Sequence, residues 1–187
     1  MKAHPKNIIL GIDPGTRITG YGVLEMQAKK MRLVQFGVLH LHKYDDHYQR
    51  LGKIFERLTH IIGEFGITQM ALEAPFYGKN IQSTLKLGRA QGVAMAAALS
   101  QGIPVYEYAP KRIKQAVTGQ GSASKEQVAR MLQQILDFEQ IPDLLDATDA
   151  VSVAVCHGFQ GGIPGGMASA SGSSWQAFVS QNPNRIK

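Results

Sequence analysis

The sequence of 187 residues contains one cysteine, Cys156, so neither an intramolecular disulfide nor a cysteine-rich zinc site is available to it. A reducing compartment is the natural setting. No run approaches the ~20 apolar residues of a membrane span, and Met1–Asn7 lacks the apolar core of a signal peptide. The expectation is a soluble, cytoplasmic protein with no membrane partner. Charge is also sparse: 18% of residues are Asp, Glu, Lys or Arg, and only 14 are acidic against 20 basic. What is present is ordinary globular composition, 44% apolar. One domain is expected at this length, able to bury roughly 70% of its unfolded surface without covalent staples.

The formal charge of +6 is localised. Between Phe76 and Arg130 stand Lys79, Lys86, Arg89, Lys111, Arg112, Lys114, Lys125 and Arg130, against only Glu107 and Glu126, so the whole excess falls there. A positive band on a neutral body fits a polyanion, and nucleic acid first among them. The same lysines also read as solvated helix faces, which suits Lys79 and Lys86 best.

Asn7–Ile12 is a short β-rich run closed by the turn residues Asp13-Pro14-Gly15. Thr19–Glu25 and Arg32–Leu41 read as two more strands. From Tyr48 the period changes: Tyr48, Leu51, Phe55, Leu58, Ile62 and Phe65 mark an amphipathic helix ended by Gly66. Gln69–Leu72 is a buried strand delivering Glu73 at its end, and a loop with Pro75 and Gly78 leads into a helix from Ile81 to Ser100. Its Gly88, Gly92 and alanines predict close packing, against the sheet or a partner helix. Pro104–Tyr108 is a strand, Pro110 opens a short helix ending near Thr118, Ser124 caps another, and Asp146–His157 forms the last. The order β-β-β-α-β-α-β-α-α-α predicts a mixed α/β sheet with helices on both faces. Residues 1–158 form the domain, and the Gly/Ser-rich stretch 159–187 reads as a flexible tail with Trp175 and Phe178 as weak docking points.

The few carboxylates in apolar surroundings carry the chemistry. Asp13 and Glu73 end strands, and Asp146 and Asp149 share one helix face at a spacing of three. Like charges so placed repel, and apolar surroundings raise the cost of leaving them ionised. A divalent cation removes the conflict. Magnesium prefers a few carboxylates with water and phosphate oxygens, and four acids can hold two ions about 3.5–4 Å apart, the arrangement for in-line displacement at a phosphodiester. Taken singly, Asp13 also reads as a turn residue and Asp146 as a helix N-cap; Asp149 and Glu73 are harder to place without a partner.

Six segments, in order, resemble the RuvC family of Holliday-junction resolvases. They are Ile9-Leu10-Gly11-Ile12-Asp13-Pro14-Gly15; Leu72-Glu73 followed by Phe76; Lys86-Leu87-Gly88 with Gly92-Val93-Ala94; Ala109-Pro110 with Lys114-Gln115-Ala116-Val117-Thr118-Gly119; Lys125 with Gln127-Val128; and Asp146-Ala147-Thr148-Asp149-Ala150. The resemblance runs from about residue 7 to 158. It implies an RNase H-like fold with a five-stranded sheet, a homodimer, and Mg²⁺-dependent endonuclease action on a four-way DNA junction in recombination and repair. Two Mg²⁺ per subunit are implied, with Mn²⁺ able to substitute, as is cooperation with the RuvA–RuvB branch-migration complex. The catalytic and metal-binding acids fall on Asp13, Glu73, Asp146 and Asp149. The family's loop aromatic falls on Phe76 and its DNA-contacting lysines on Lys114 and Lys125; Tyr77 beside that aromatic and, from the basic band, Arg89, Lys111 and Arg112 are further DNA-contacting candidates. An aromatic ring in the loop after Glu73 can stack on an unpaired base for about 1–3 kcal/mol; the plainer reading of Phe76 and Tyr77 is that they cap the core.

The chain departs from the family pattern after Leu87-Gly88, where Arg89-Ala90-Gln91 stands in place of Gln-Ala-Arg. His157, eight residues after Asp149, can approach the site from the helix end, but the preferred reading is a surface or capping residue with no required function. Two other classes fit parts of the sequence. The first motif also resembles the phosphate loop of actin-like and Hsp70-like ATPases, which need a second lobe and a second phosphate loop that this sequence lacks. A catalytically silent nucleic-acid-binding module of the same fold has no use for four acids.

Overall fold

The computed structural model describes residues 7–27, 30–75, 80–136 and 145–160. Five strands form one sheet: β1 (Asn7–Asp13), β2 (Ile18–Gln27), β3 (Lys30–His40), β4 (Gln69–Glu73) and β5 (Val105–Tyr108), in the order β3-β2-β1-β4-β5. The meander β1-β2-β3 is antiparallel, while β4 and β5 join β1 in parallel. Parallel neighbours need crossovers, and helices supply them: α1 (His47–Phe65) leads into β4 and α2 (Ile81–Leu99) into β5. Three more helices follow, α3 (Pro110–Thr118), α4 (Lys125–Leu136) and α5 (Leu145–Phe159).

The helix ends follow from local chemistry. Asp46 accepts from the Gln49 amide at 3.0 Å, Asn80 from the Ser83 amide at 3.1 Å, and Gly66 closes α1 at φ 62°. At α4 the cap is reciprocal: the Ser124 hydroxyl accepts from the Gln127 amide, and the Gln127 side chain accepts from the Ser124 amide.

Strand alternation divides the core in two. Ile8, Leu10, Ile12, Met70 and Leu72 point to the layer of α1 and α2, where Ile54, Leu58, Ile61 and Ile62 are buried. Each such side chain contributes roughly 1.5–3 kcal/mol on burial. Ile9, Leu24, Ala71 and Tyr108 point to the opposite layer, against α3, α4 and α5. That second face also carries Asp13 and Glu73, two residues beyond Gly11 and Ala71 on their strands.

Small residues decide how close α5 comes. A Cβ at Gly11 would collide with the Ala150 carbonyl oxygen, and one at Gly20 with the Asp146 carbonyl oxygen. At Gly22 it would lie 2.6 Å from Val151 Cγ2. Because Asp13 pairs with Gly20 across β1 and β2, this close approach sets the first turn of α5 beside Asp13.

The expected order of elements holds throughout. β2 runs slightly beyond the expected bounds, β3 begins two residues early and ends one short at His40, Glu73 is the last residue of β4, and a single 3-10 turn (Leu41–Lys43) precedes α1. Gly88 and Gly92 face outward, with nothing within 4 Å of an added Cβ, while Ala90, Ala94, Ala97 and Ala98 of α2 are buried. The residues expected as a tail lie outside the described residues from 161 onward.

Candidate active site

The C-terminal ends of β1, β4 and β5 lie at one end of the sheet. Asp13 leaves β1 into a turn held by Thr19, whose hydroxyl donates to the Gly15 carbonyl at 2.9 Å and accepts from the Gly15 amide at 3.2 Å. Glu73 ends β4. Asp146 and Asp149 occupy the start of α5, Asp146 as its second residue and so inside the first turn. Carboxylate oxygens of Asp13, Asp146 and Asp149 lie within 4.8 Å of one another. Glu73 stands outside that tight group but lines the same cleft, of about 190 Å³, together with Asp13, Asp149, Lys114, Lys125, Pro110 and Ser152.

The acids disturb one another. Burial pushes the Asp13 carboxyl up from 3.8 to about 7, and the charges of Glu73, Asp149 and Asp146 push the same way while Lys125 opposes them. Burial also raises Glu73, followed by the Asp149 charge, with Lys125 and Lys114 countering. Lys125 donates to Asp149 Oδ2 at 2.5 Å, and this bond raises the ammonium above its usual value. The N-termini of α3 and α4 meet the cleft through Pro110 and Lys125, and the N-terminal part of α5 meets it through Asp149. Helix N-termini favour anions, so they soften the repulsion and suit a phosphate.

The donor set fits a hard divalent cation. All three clustered groups offer carboxylate oxygen, and oxygens around magnesium at about 2.1 Å stand roughly 3–4 Å apart, close to the spacing here. Among the described residues no sulfur or imidazole lines the cleft, which argues against a zinc site of the usual donor type.

Of the DNA-contacting candidates, Lys114 and Lys125 reach the cleft. Lys111 and Arg112 lie on the exposed side of α3 and Arg89 on the exposed side of α2; none of the three lines it. Phe76 and Tyr77 lie outside the described residues. One expectation changes. His157 is 2% exposed, with Tyr108 and Gln69 at hydrogen-bonding distance, so it is a core residue and not a surface cap. The apolar run Val153-Ala154-Val155-Cys156 before it was the available signal. Gln91 is 4% exposed and donates to Glu107 at 2.5 Å, which gives the departure at that position a local role that needs no arginine.

The family model described as "Crossover junction endodeoxyribonuclease RuvC" matches residues 9–157. A protein of that name from Cytophaga hutchinsonii is 56% identical, the match covering 100% of this chain and 92% of that protein. One from Porphyromonas gingivalis is 54% identical over 97% of this chain and 98% of its own. Among solved structures, Thermus thermophilus RuvC in complex with Holliday junction substrate superimposes with a TM-score of 0.78 at 33% identity, covering 83% of this chain and 94% of that one.

Proposed function

The chain belongs to the RuvC family of crossover junction endodeoxyribonucleases, and on that premise we propose that it resolves four-way DNA junctions by paired nicks in two strands of like polarity, in recombination and repair. The observation that carries this reading is the gathering of Asp13, Asp146 and Asp149 within 4.8 Å in a cleft that Glu73, Lys114 and Lys125 share. Those four acids are the catalytic set, holding two Mg²⁺ or Mn²⁺. Such ions, when bound, supply Lewis-acid activation of a water and charge neutralisation at the scissile phosphate.

The chain's own residues do the rest. Asp13 and Glu73, fixed at strand ends, present a rigid half of the ligand set, and α5 brings the other half across the glycine contacts. Lys114 and Lys125 attract the phosphate backbone and hold it over the acids. The converging helix N-termini lower the cost of placing an anion there. Arg89, Lys111 and Arg112, outside the cleft, extend the positive surface along the flanking duplex, and Phe76 and Tyr77 stack on junction bases.

A four-way junction with two-fold symmetry needs two symmetric cuts, so the active unit is a homodimer. The outward face of α2 supports this. Ile81, Leu85 and Leu99 are 74%, 52% and 60% exposed there, and Gly88 and Gly92 leave open space along the same helix. No helix among the described residues is long and apolar enough to cross a membrane. A cytoplasmic enzyme working with the RuvA–RuvB branch-migration complex completes the proposal.

Mg²⁺ titration on a synthetic four-way junction tests the reading. Wild type should cut, whereas Asp149→Asn should bind the junction and leave it intact. Equal cutting by both sinks the site assignment, and salt-sensitive binding without nicks at any Mg²⁺ concentration leaves only a binding module.

A further inference from the structure

The contact between α5 and the sheet is close but smooth. Over its acid-bearing half α5 rests on Gly11, Gly20 and Gly22 of β1 and β2, which offer no side chains to interlock with it, although Ile9 and Leu24 of the same strands belong to the core layer it shares. Such a contact resists separation better than it resists sliding or rotation. Polar side chains on the buried side of α5 give little help near the acids: the Ser152 hydroxyl donates back to the Asp149 carbonyl, and the Thr148 hydroxyl has no partner among the described residues.

Near the other end of the helix the situation differs. His157 Nδ1 is 2.6 Å from the Tyr108 hydroxyl, and Nε2 is 2.5 Å from Gln69 Oε1. The ring also lies against Tyr106, with centroids 4.5 Å apart. Gln69 Nε2 is 3.3 Å from Asn7 Oδ1, which orients the amide with its oxygen toward His157. The proton therefore sits on Nε2 and is donated to Gln69, while Nδ1 accepts from Tyr108. A neutral imidazole is fully satisfied, and it ties α5 to β4 and β5 together. Tyr108 is in turn the register partner of Glu73, and its carbonyl accepts from the Ala74 amide at 2.9 Å.

We propose that the Tyr108–His157–Gln69 clamp fixes the axial and rotational setting of α5 and thereby positions Asp146 and Asp149 against Asp13. These are positioning residues, and the proposal rests on the reading of the acids as cation ligands. The lever is direct: His157 stands eight residues beyond Asp149, about 12 Å along one rigid helix, and a slip of one residue moves both acids by about 1.5 Å. Misplacement by about 1 Å is enough to cost roughly 100-fold in a reacting geometry.

Tyr108→Phe removes one hydroxyl and leaves the ring. Cation affinity is read by calorimetry with Mn²⁺ on the DNA-free protein, alongside junction affinity in EDTA, the Mg²⁺ needed for half-maximal cleavage, and Tm. Mn²⁺ affinity should fall about 10–100-fold, the range seen when groups behind metal ligands are removed. Junction affinity in EDTA should be unchanged. His157→Gln, which can keep one of the two bonds, should lie between wild type and His157→Leu. Val153→Ala, buried on the same helix but outside the clamp, should lower Tm without changing Mn²⁺ affinity. If Tyr108→Phe lowers Tm and binds Mn²⁺ as wild type does, the clamp is only structural and the proposal fails. The same holds if Val153→Ala weakens Mn²⁺ as much for an equal loss of Tm. Should His157→Leu fail to fold, Tyr108→Phe decides alone. A wild type that binds Mn²⁺ but leaves junctions uncut overturns the proposed function and leaves the clamp standing.

Discussion

Neutralising Asp13 should make the metal-free protein more stable while abolishing its activity. The carboxyl is held near 7 against 3.8 in an unfolded chain, through burial and then through Glu73, Asp149 and Asp146. A raised carboxyl pKa means that the folded state binds the proton more tightly than the unfolded state does. The stability it contributes is complete below about 3.8 and is lost as pH rises through about 7. A shift of about 3 units at 1.36 kcal/mol each amounts to about 4 kcal/mol at pH 8. Partial solvent access reduces this, and Asp13→Asn should recover about 2–4 kcal/mol, or roughly 5–15 °C in Tm for a domain of this size. The assay is thermal unfolding in EDTA at pH 4 and pH 8. The two proteins should melt together at pH 4 and diverge at pH 8 in favour of Asp13→Asn, and Mg²⁺ should narrow the gap by stabilising wild type alone. Equal Tm values at pH 8 in EDTA would refute the electrostatic account of this cleft.

Gly20→Ala should cost about 3 kcal/mol or more by urea unfolding and remove cleavage, because the added methyl meets the Asp146 backbone, which cannot move without carrying the acid with it. Leu85→Glu, on the exposed stripe of α2, should give a folded monomer by sedimentation that binds Mn²⁺ as wild type does; a dimer of undiminished affinity would rule that stripe out. Lys125→Met should reduce the salt slope of junction binding by about one. Its effect on Tm should be small, since the Lys125 side chain is 53% exposed and exposed pairs contribute little.

Much of the fold was readable because local signals agreed with it. The period of α1, the Asp46 and Gly66 ends, the Ser124 cap and the turn at Asp13-Pro14-Gly15 all depend on residues within a few positions of one another. The acids were readable for a related reason: Asp13 and Glu73 each follow a short apolar strand, and Asp146 and Asp149 share a helix face. What escaped depends on distant partners. His157 meets residues 49 and 88 positions away, so the apolar run before it signals burial but nothing beside it in sequence names its partners. Gln91 and Glu107 are likewise joined only by folding. The glycines and alanines of α2 predicted close packing but not its direction, because both sides of that helix are lined with small residues: the alanines face the core and the glycines face out.

The glycines beneath α5 bear on how active relatives can be told from inactive ones. A chain could keep all four acids in order and still be unable to assemble them, if a valine or isoleucine stood where this one has Gly11 or Gly20. The bulky residue would read as a better strand former and score as harmless. It would nonetheless lift the helix off the sheet and open the acid cluster. Inspection for the loss of nuclease function in such sequences should therefore begin with the two positions that carry no side chain, before the four that carry a charge.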